Sequence, residues 1–182
     1  MNYTGNIDEW NGITFTDSTS TPLTYSQKLY ICGTEVTDVV LSYGTTVVNP
    51  YAFYNLKNIS SVVLPETVEK ISKFAFYGCY FLENLSMPCS AVIENENSFY
   101  NCSRLEKLVL TKGTGGMQTY TYTATPWYGS NNTFTTLVIS DGINNISDKA
   151  FFGCGKLENI TFPKNNYTVG SRAFYGTQWI KN

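Results

Sequence analysis

Three glutamates at one position of a repeated pattern are the first candidates for chemistry. They are Glu83, Glu106 and Glu158. Stacked carboxylates could bind Ca²⁺ or supply the acid and base of a glycosidase. Lys57 and Thr135 are expected at the same position in other copies, however, which favours a solvated and partly neutralised edge. The chain has no histidine, so Ser-His and Cys-His catalysis are excluded, and we predict that it is not an enzyme.

Three of the five cysteines, Cys79, Cys102 and Cys154, also share one position of the repeat. A strand spacing of ~4.8 Å would allow a disulfide between Cys79 and Cys102. The same position holds leucine, serine or threonine in other copies, which favours reduced cysteines packed in a small buried corner. The wide spacing and the lack of histidine disfavour a metal site. We predict no metal and no cofactor.

Two further motifs have a functional and a structural interpretation. An aromatic column could present a surface to carbohydrate or protein. The period instead favours rings that stack between neighbouring coils. The glycine-rich Gly113–Met117 lacks the GK[ST] of a phosphate-binding loop, and it is predicted to be a turn. The aromatic column comprises Tyr54, Tyr77, Tyr100, Tyr128, Phe152 and Tyr175.

The element that must position these residues is a recurring pentapeptide, seen as AFYNL, AFYGC and SFYNC and then as PWYGS, AFFGC and AFYGT. Its lead aromatics are 23, 23, 28, 24 and 23 residues apart. An L-x-x-L-x-L triplet follows most copies, and its alternation predicts a half-buried strand. A fixed period of this length predicts a solenoid whose turns bury their apolar faces against one another. The lead aromatics are Phe53, Phe76, Phe99, Trp127, Phe151 and Phe174.

This pattern predicts a β-rich solenoid: a right-handed parallel β-solenoid of about six ~23-residue coils with an N-terminal cap. Residues 1–33 do not fit the repeat and are predicted to form the cap, and residues 34–182 the array. In the third copy, Glu94 is expected to stand where Ile71 stands in the second. An insertion in the fourth copy, at about 112–125, is the place where such arrays often bind a partner.

Composition narrows the classes of partner. Charged residues make up 14% of the chain and the net charge is −2, so we expect no binding to nucleic acid. No apolar run is long enough to span a bilayer, so we expect no membrane insertion. Met1–Asp8 shows no signal peptide.

Leu56–Cys79, LKNISSVVLPETVEKISKFAFYGC, resembles the BspA-type (Treponema pallidum-type) leucine-rich repeat. The resemblance covers roughly residues 23–182, and PLTYSQKLYICGTEVTDVVL is similar to the capping half-repeat of such arrays. It implies a leucine-rich-repeat fold in a secreted or surface-anchored protein of a host-associated bacterium or a mucosal protist. Such proteins are expected to adhere to host matrix proteins or to other cells, without catalysis.

We therefore predict a monomeric, non-catalytic binding module located outside the cell or on its surface. Its expected partner is a host extracellular protein or glycan. The alternative is a structural spacer that projects other domains of a larger surface protein. The candidate binding surface comprises ten outward strand residues and three tyrosines in or directly after the insertion: Ser61, Val63, Asn84, Ser86, Lys107, Val109, Thr136, Val138, Asn159, Thr161, Tyr120, Tyr122 and Tyr128.

Overall fold

The computed structural model describes residues 1–119 and 133–181, and their fold is a parallel β-solenoid. Its elements are short, as the turns of a solenoid require. In chain order they are β1 Asn2–Tyr3, α1 Ile7–Asn11, α2 Leu23–Ser26, β2 Tyr30–Ile31, β3 Thr34–Glu35, β4 Asp38–Val40, β5 Val47–Val48, β6 Ser61–Val63, β7 Lys70–Ile71, β8 Asn84–Pro88, β9 Val92–Ile93, a 3₁₀ helix Glu96–Phe99, β10 Lys107–Thr111, β11 Thr136–Ile139, β12 Asn145–Ile146, β13 Asn159–Thr161, β14 Thr168–Val169 and a 3₁₀ helix Trp179–Lys181.

The main element is a six-stranded parallel sheet in the order β4-β6-β8-β10-β11-β13. Most partner residues are 23 positions apart in the chain, as Ser61 and Asn84 are. Lys107 and Thr136 are 29 apart, so the insertion lengthens that turn by about six residues. About five turns thus connect six strands, which confirms the predicted solenoid. Smaller parallel sheets, β5-β7-β9 and β12-β14, lie on the return side of the turns.

Alternation along each strand determines which residues enter the core. The central residues are buried, whereas their chain neighbours face outward. Each fully buried aliphatic side chain stabilises the fold by roughly 1.5–3 kcal/mol. Because the strands stack in register, each buried side chain lies over its equivalent in the next turn. These central residues are Val39, Val62, Leu85, Leu108 and Leu137.

Two columns of stacked rings form the corner of the turns. The centroids of Phe53, Phe76 and Phe99 are 5.2 Å apart at each step, with nearly parallel planes. Tyr54 and Tyr77 stack at 5.1 Å in the outer column, which continues to Tyr100 at 5.7 Å and includes Phe152 on Tyr175 at 5.3 Å. The predicted stacking between neighbouring turns is therefore confirmed for the described rings.

The segment before the array covers the open end of its first turn. Trp10 is buried, and its Nε1 donates a hydrogen bond to the Ala52 carbonyl at 2.7 Å. The Asn11 side chain donates to the Val47 carbonyl at 2.9 Å. Helix α1 begins with a capping box in which Asn6 and Glu9 exchange hydrogen bonds. These contacts are those that a cap needs, and the boundary after residue 33 stays a prediction.

The third turn departs from the prediction. Ile93, not Glu94, pairs in register with Ile71, so the expectation that Glu94 replaces Ile71 is wrong. The one-residue shift keeps an apolar side chain over Ile71. The extra residue is accommodated before Phe99 by the 3₁₀ helix Glu96–Phe99, which Asn95 caps.

Candidate functional site

The outward face of the six-stranded sheet brings together the ten strand candidates of the sequence. They lie in two columns, and equivalent residues of neighbouring strands are ~4.8 Å apart. The register also adds one residue from β4 to each column, Asp38 and Val40, which the sequence analysis missed. The first column is Asp38, Ser61, Asn84, Lys107, Thr136 and Asn159, and the second is Val40, Val63, Ser86, Val109, Val138 and Thr161.

The two columns differ in chemistry. The second contains four valines, of which Val40 is 54% and Val63 is 41% exposed. The first is polar and nearly uncharged, with Asp38 at one end and Lys107 in the middle. Hydrogen bonds from the Ser61 and Thr37 hydroxyls lower the pKa of Asp38, so its carboxylate is ionised at neutral pH. The face is an aliphatic stripe beside a polar stripe.

The repeated register agrees with a match between the chain and a known repeat family. Residues 25–128 and 127–182 match the model of the BspA type leucine-rich repeat region, in six copies. The chain belongs to this family. BspA-type repeats are typical of bacterial surface proteins and are generally non-catalytic. No curated protein matches the chain.

Two solved structures are similar to the chain, and both are leucine-rich repeat proteins of bacteria. The protein from Eubacterium ventriosum ATCC 27560 is 20% identical with a TM-score of 0.53, over 81% of this chain and 45% of its own. The protein from Bacteroides ovatus ATCC 8483 is 16% identical with a TM-score of 0.33, over 81% of this chain and 60% of its own. The first likeness supports the fold. The chain spans less than two thirds of either protein.

The insertion of this BspA-type array is described only in part. Its predicted contact residues Tyr120, Tyr122 and Tyr128 lie outside the described residues. Within Gly113–Met117, Gly113 has a φ of +67°, and a Cβ there would lie 2.2 Å from Ser90 Oγ. Thr114 N donates to the same oxygen at 3.2 Å. The glycines therefore bend the chain closely against the preceding turn.

The cysteines of the array are buried and reduced. All five are free thiols, and only Cys32 is exposed. The Sγ of Cys79 donates to the Phe53 carbonyl at 3.2 Å, and the Sγ of Cys102 to the Phe76 carbonyl at 3.3 Å. Burial raises the pKa of the Cys154 thiol to about 12. The thiols of Cys79 and Cys102 thus connect the corner of one turn to the preceding turn, in agreement with the packing interpretation.

The glutamate column is interrupted. Glu106 N donates to the Glu83 carbonyl at 2.9 Å, so these two residues lie in adjacent turns. Thr135 then separates Glu106 from Glu158. The expectation that Lys57 shares this column is wrong, because Glu83 N donates to the carbonyl of Ser60, which is the equivalent residue of that turn. Within residues 1–119 and 133–181, no three His, Cys, Asp or Glu side chains are grouped as a metal site would need. The same ranges contain no helix that is long and apolar enough to span a membrane.

Proposed function

We propose that the chain is a non-catalytic binding module of a secreted or cell-surface protein. It adheres to a host extracellular partner through the outward face of the six-stranded sheet. The observation that carries the proposal is the valine stripe. Val40 and Val63 expose about half of their surface beside a polar column, and neither belongs to the core. An exposed aliphatic stripe with a polar flank is the composition of a protein contact surface.

The composition of this face favours a protein over a glycan. Its described columns hold valines, small polar residues, one carboxylate and one ammonium group, and no aromatic ring against which a sugar could lie. Asp38 and Lys107 are the only charged residues of these two described columns, which therefore give little electrostatic steering. Recognition therefore depends on shape and on the hydroxyl and amide groups of the polar column.

The size of the face limits the affinity of one contact. Six strands at ~4.8 Å spacing extend over about 24 Å, and three-residue strands are about 10 Å long. The resulting area of about 240 Å² is well below the roughly 800 Å² that each partner contributes to a stable complex. We therefore expect weak single contacts that are strengthened when several modules bind together.

An array of host extracellular-matrix proteins and glycans tests the proposal. The wild-type chain is compared with Val40→Lys/Val63→Lys and with a matched control, Val92→Lys/Val169→Lys. The control valines are 48% and 51% exposed but lie in β9 and β14, outside the main sheet. We expect about tenfold weaker binding for the first variant and unchanged binding for the control. Wild-type binding no stronger than that of the first variant would refute the proposal and favour the spacer alternative.

A further inference from the structure

A groove of about 810 Å³ lies away from the valine stripe, where the chain passes from the aromatic corner to the next strand. It extends across three turns, so its lining residues come from equivalent positions of successive repeats. Its volume is within the range of small-ligand sites. The residues that line it include Asn55, Lys57, Tyr80, Phe81, Asn101 and Ser103.

Two exposed rings form one wall of the groove. Tyr80 is 46% and Phe81 is 40% exposed, and their rings meet edge to face at 5.1 Å. The guanidinium carbon of Arg104 lies 4.6 Å from the centroid of Phe81 and 5.8 Å from that of Tyr80. This cation–π contact fixes the two rings although much of their surface faces water.

The repeat does not require aromatic residues at these positions. Most equivalent pairs in other turns are polar or small, namely Lys57-Asn58, Ser103-Arg104 and Gly155-Lys156, and one aromatic returns in Gln178-Trp179 of the last copy. Core packing is provided by the flanking Cys79 and Leu82, both of which are fully buried. The rings of Tyr80 and Phe81 therefore serve something other than the solenoid core.

Polar groups occupy the rest of the groove. Ser103 Oγ is buried and, within the described part of the chain, has no hydrogen-bond partner. Leaving a buried hydroxyl unpaired is unfavourable, so a ligand group that paired with it would be favoured. Asn55 and Asn101 have φ of 56° and 64° and lie on either side of Gly78, whose φ is 74°. A Cβ on Gly78 would lie 3.2 Å from Asn55 Oδ1, so this glycine leaves room between the two amides.

We propose that this groove binds a short acidic saccharide. The apolar face of a sugar ring would pack on Tyr80 and Phe81. Its hydroxyls would pair with the amides of Asn55 and Asn101 and with Ser103 Oγ. Lys57 lines the groove, and none of the described residues that line it is a carboxylate, so a carboxylate or sulfate on the sugar would be attracted there. This site shares no residue with the valine stripe, and the two proposals can fail independently.

NMR titration of the chain with 3′-sialyllactose, a hyaluronan tetrasaccharide and neutral lactose tests the proposal. At least one of the two acidic sugars is expected to shift the side-chain amide signals of Asn55 and Asn101 and the backbone signal of Ser103. Lactose is expected to bind about tenfold more weakly. Tyr80→Ser/Phe81→Asn, which introduces residue types of the other repeats, should weaken binding at least about tenfold. Tyr43→Ser, at a tyrosine that is 84% exposed elsewhere, should have no effect.

Several outcomes would overturn the proposal. They are the absence of shifts with both acidic sugars at about 10 mM, shifts that persist in a folded Tyr80→Ser/Phe81→Asn variant, or equal binding of lactose. Equal shifts with the peptide Asp-Asp-Asp would show that the groove responds to charge alone, which would also overturn it. Val40→Lys/Val63→Lys should retain saccharide binding, which separates this test from that of the sheet face.

Discussion

Replacement of Phe76 by leucine tests whether ring stacking between turns stabilises the solenoid. Phe76 is fully buried and lies between Phe53 and Phe99, with centroid distances of 5.2 Å on both sides. Leucine retains most of the apolar burial but removes both ring contacts. Each aromatic pair contributes about 0.5–1.5 kcal/mol beyond area burial, so the two contacts together account for about 1–3 kcal/mol.

Phe53 supplies the matched control. It is equally buried and begins the column, and among the described rings it stacks on Phe76 alone. Phe53→Leu should remove one ring contact, and the loss of packing volume is common to both variants. We therefore expect Phe76→Leu to lower the free energy of unfolding by about 1 kcal/mol more than Phe53→Leu does.

Urea unfolding followed by circular dichroism measures this difference, provided that the urea dependence is the same in both variants. Thermal unfolding should show a midpoint about 2–4 °C lower for Phe76→Leu than for Phe53→Leu. An equal or larger loss in Phe53→Leu would refute the reasoning, because stability would then follow burial and not the number of stacked rings.

Three further predictions concern single groups. At pH 8 a thiol reagent should modify only Cys32 in the folded chain and all five cysteines after unfolding. The reason is that burial holds the pKa of thiols such as Cys154 far above 8. Rapid modification of two or more cysteines in the folded chain would contradict this. The backbone N–H of Lys73 and the Lys70 ammonium lower the pKa of Glu94 below 4.5, so Glu94→Gln should cost up to about 1 kcal/mol at pH 7 in urea unfolding. That cost should disappear as the pH falls through the lowered pKa, and a cost independent of pH would exclude the assigned pairs. Gly153 has a φ of 75°, and no neighbouring atom lies within 4 Å of the place that a Cβ would occupy. Gly153→Ala should therefore lower the free energy of unfolding by about 1–2 kcal/mol through backbone strain alone, and Gly153→Asn by less, in the same assay. Equal losses in the two variants would contradict the conformational explanation.

The register of the fold was predictable because the repeat specifies it at two independent places. The spacing between Phe53, Phe76 and Phe99 and the alternation in each strand give the same 23-residue step. Parallel strands that pair at this step must place equivalent residues over one another. Both the ring columns and the common face of the ten strand candidates follow from that single condition.

Other features depended on contacts that spacing alone does not determine. Counting from Phe99 placed Glu94 over Ile71, but burial of Ile93 requires a shift by one residue. Asp38 and Val40 were missed because β4 precedes the first complete pentapeptide. The sequence does contain a signal for the groove, since both Tyr80 and Phe81 are aromatic where most other copies are polar or small. Its significance depends on the exposure of both rings and on the unpaired Ser103 hydroxyl, which only the three-dimensional arrangement shows.

Methyl cross-saturation NMR on the complex with a partner found by the array tests the central claim most directly. The valine methyls report on both sides of the molecule. If the outward sheet face is the binding surface, saturation of the partner will reduce the methyl signals of the valines in its second column, Val40, Val63, Val109 and Val138. The signals of Val92 and Val169 will stay unchanged. Loss of signal at Val92 and Val169, with the stripe unaffected, would contradict the claim.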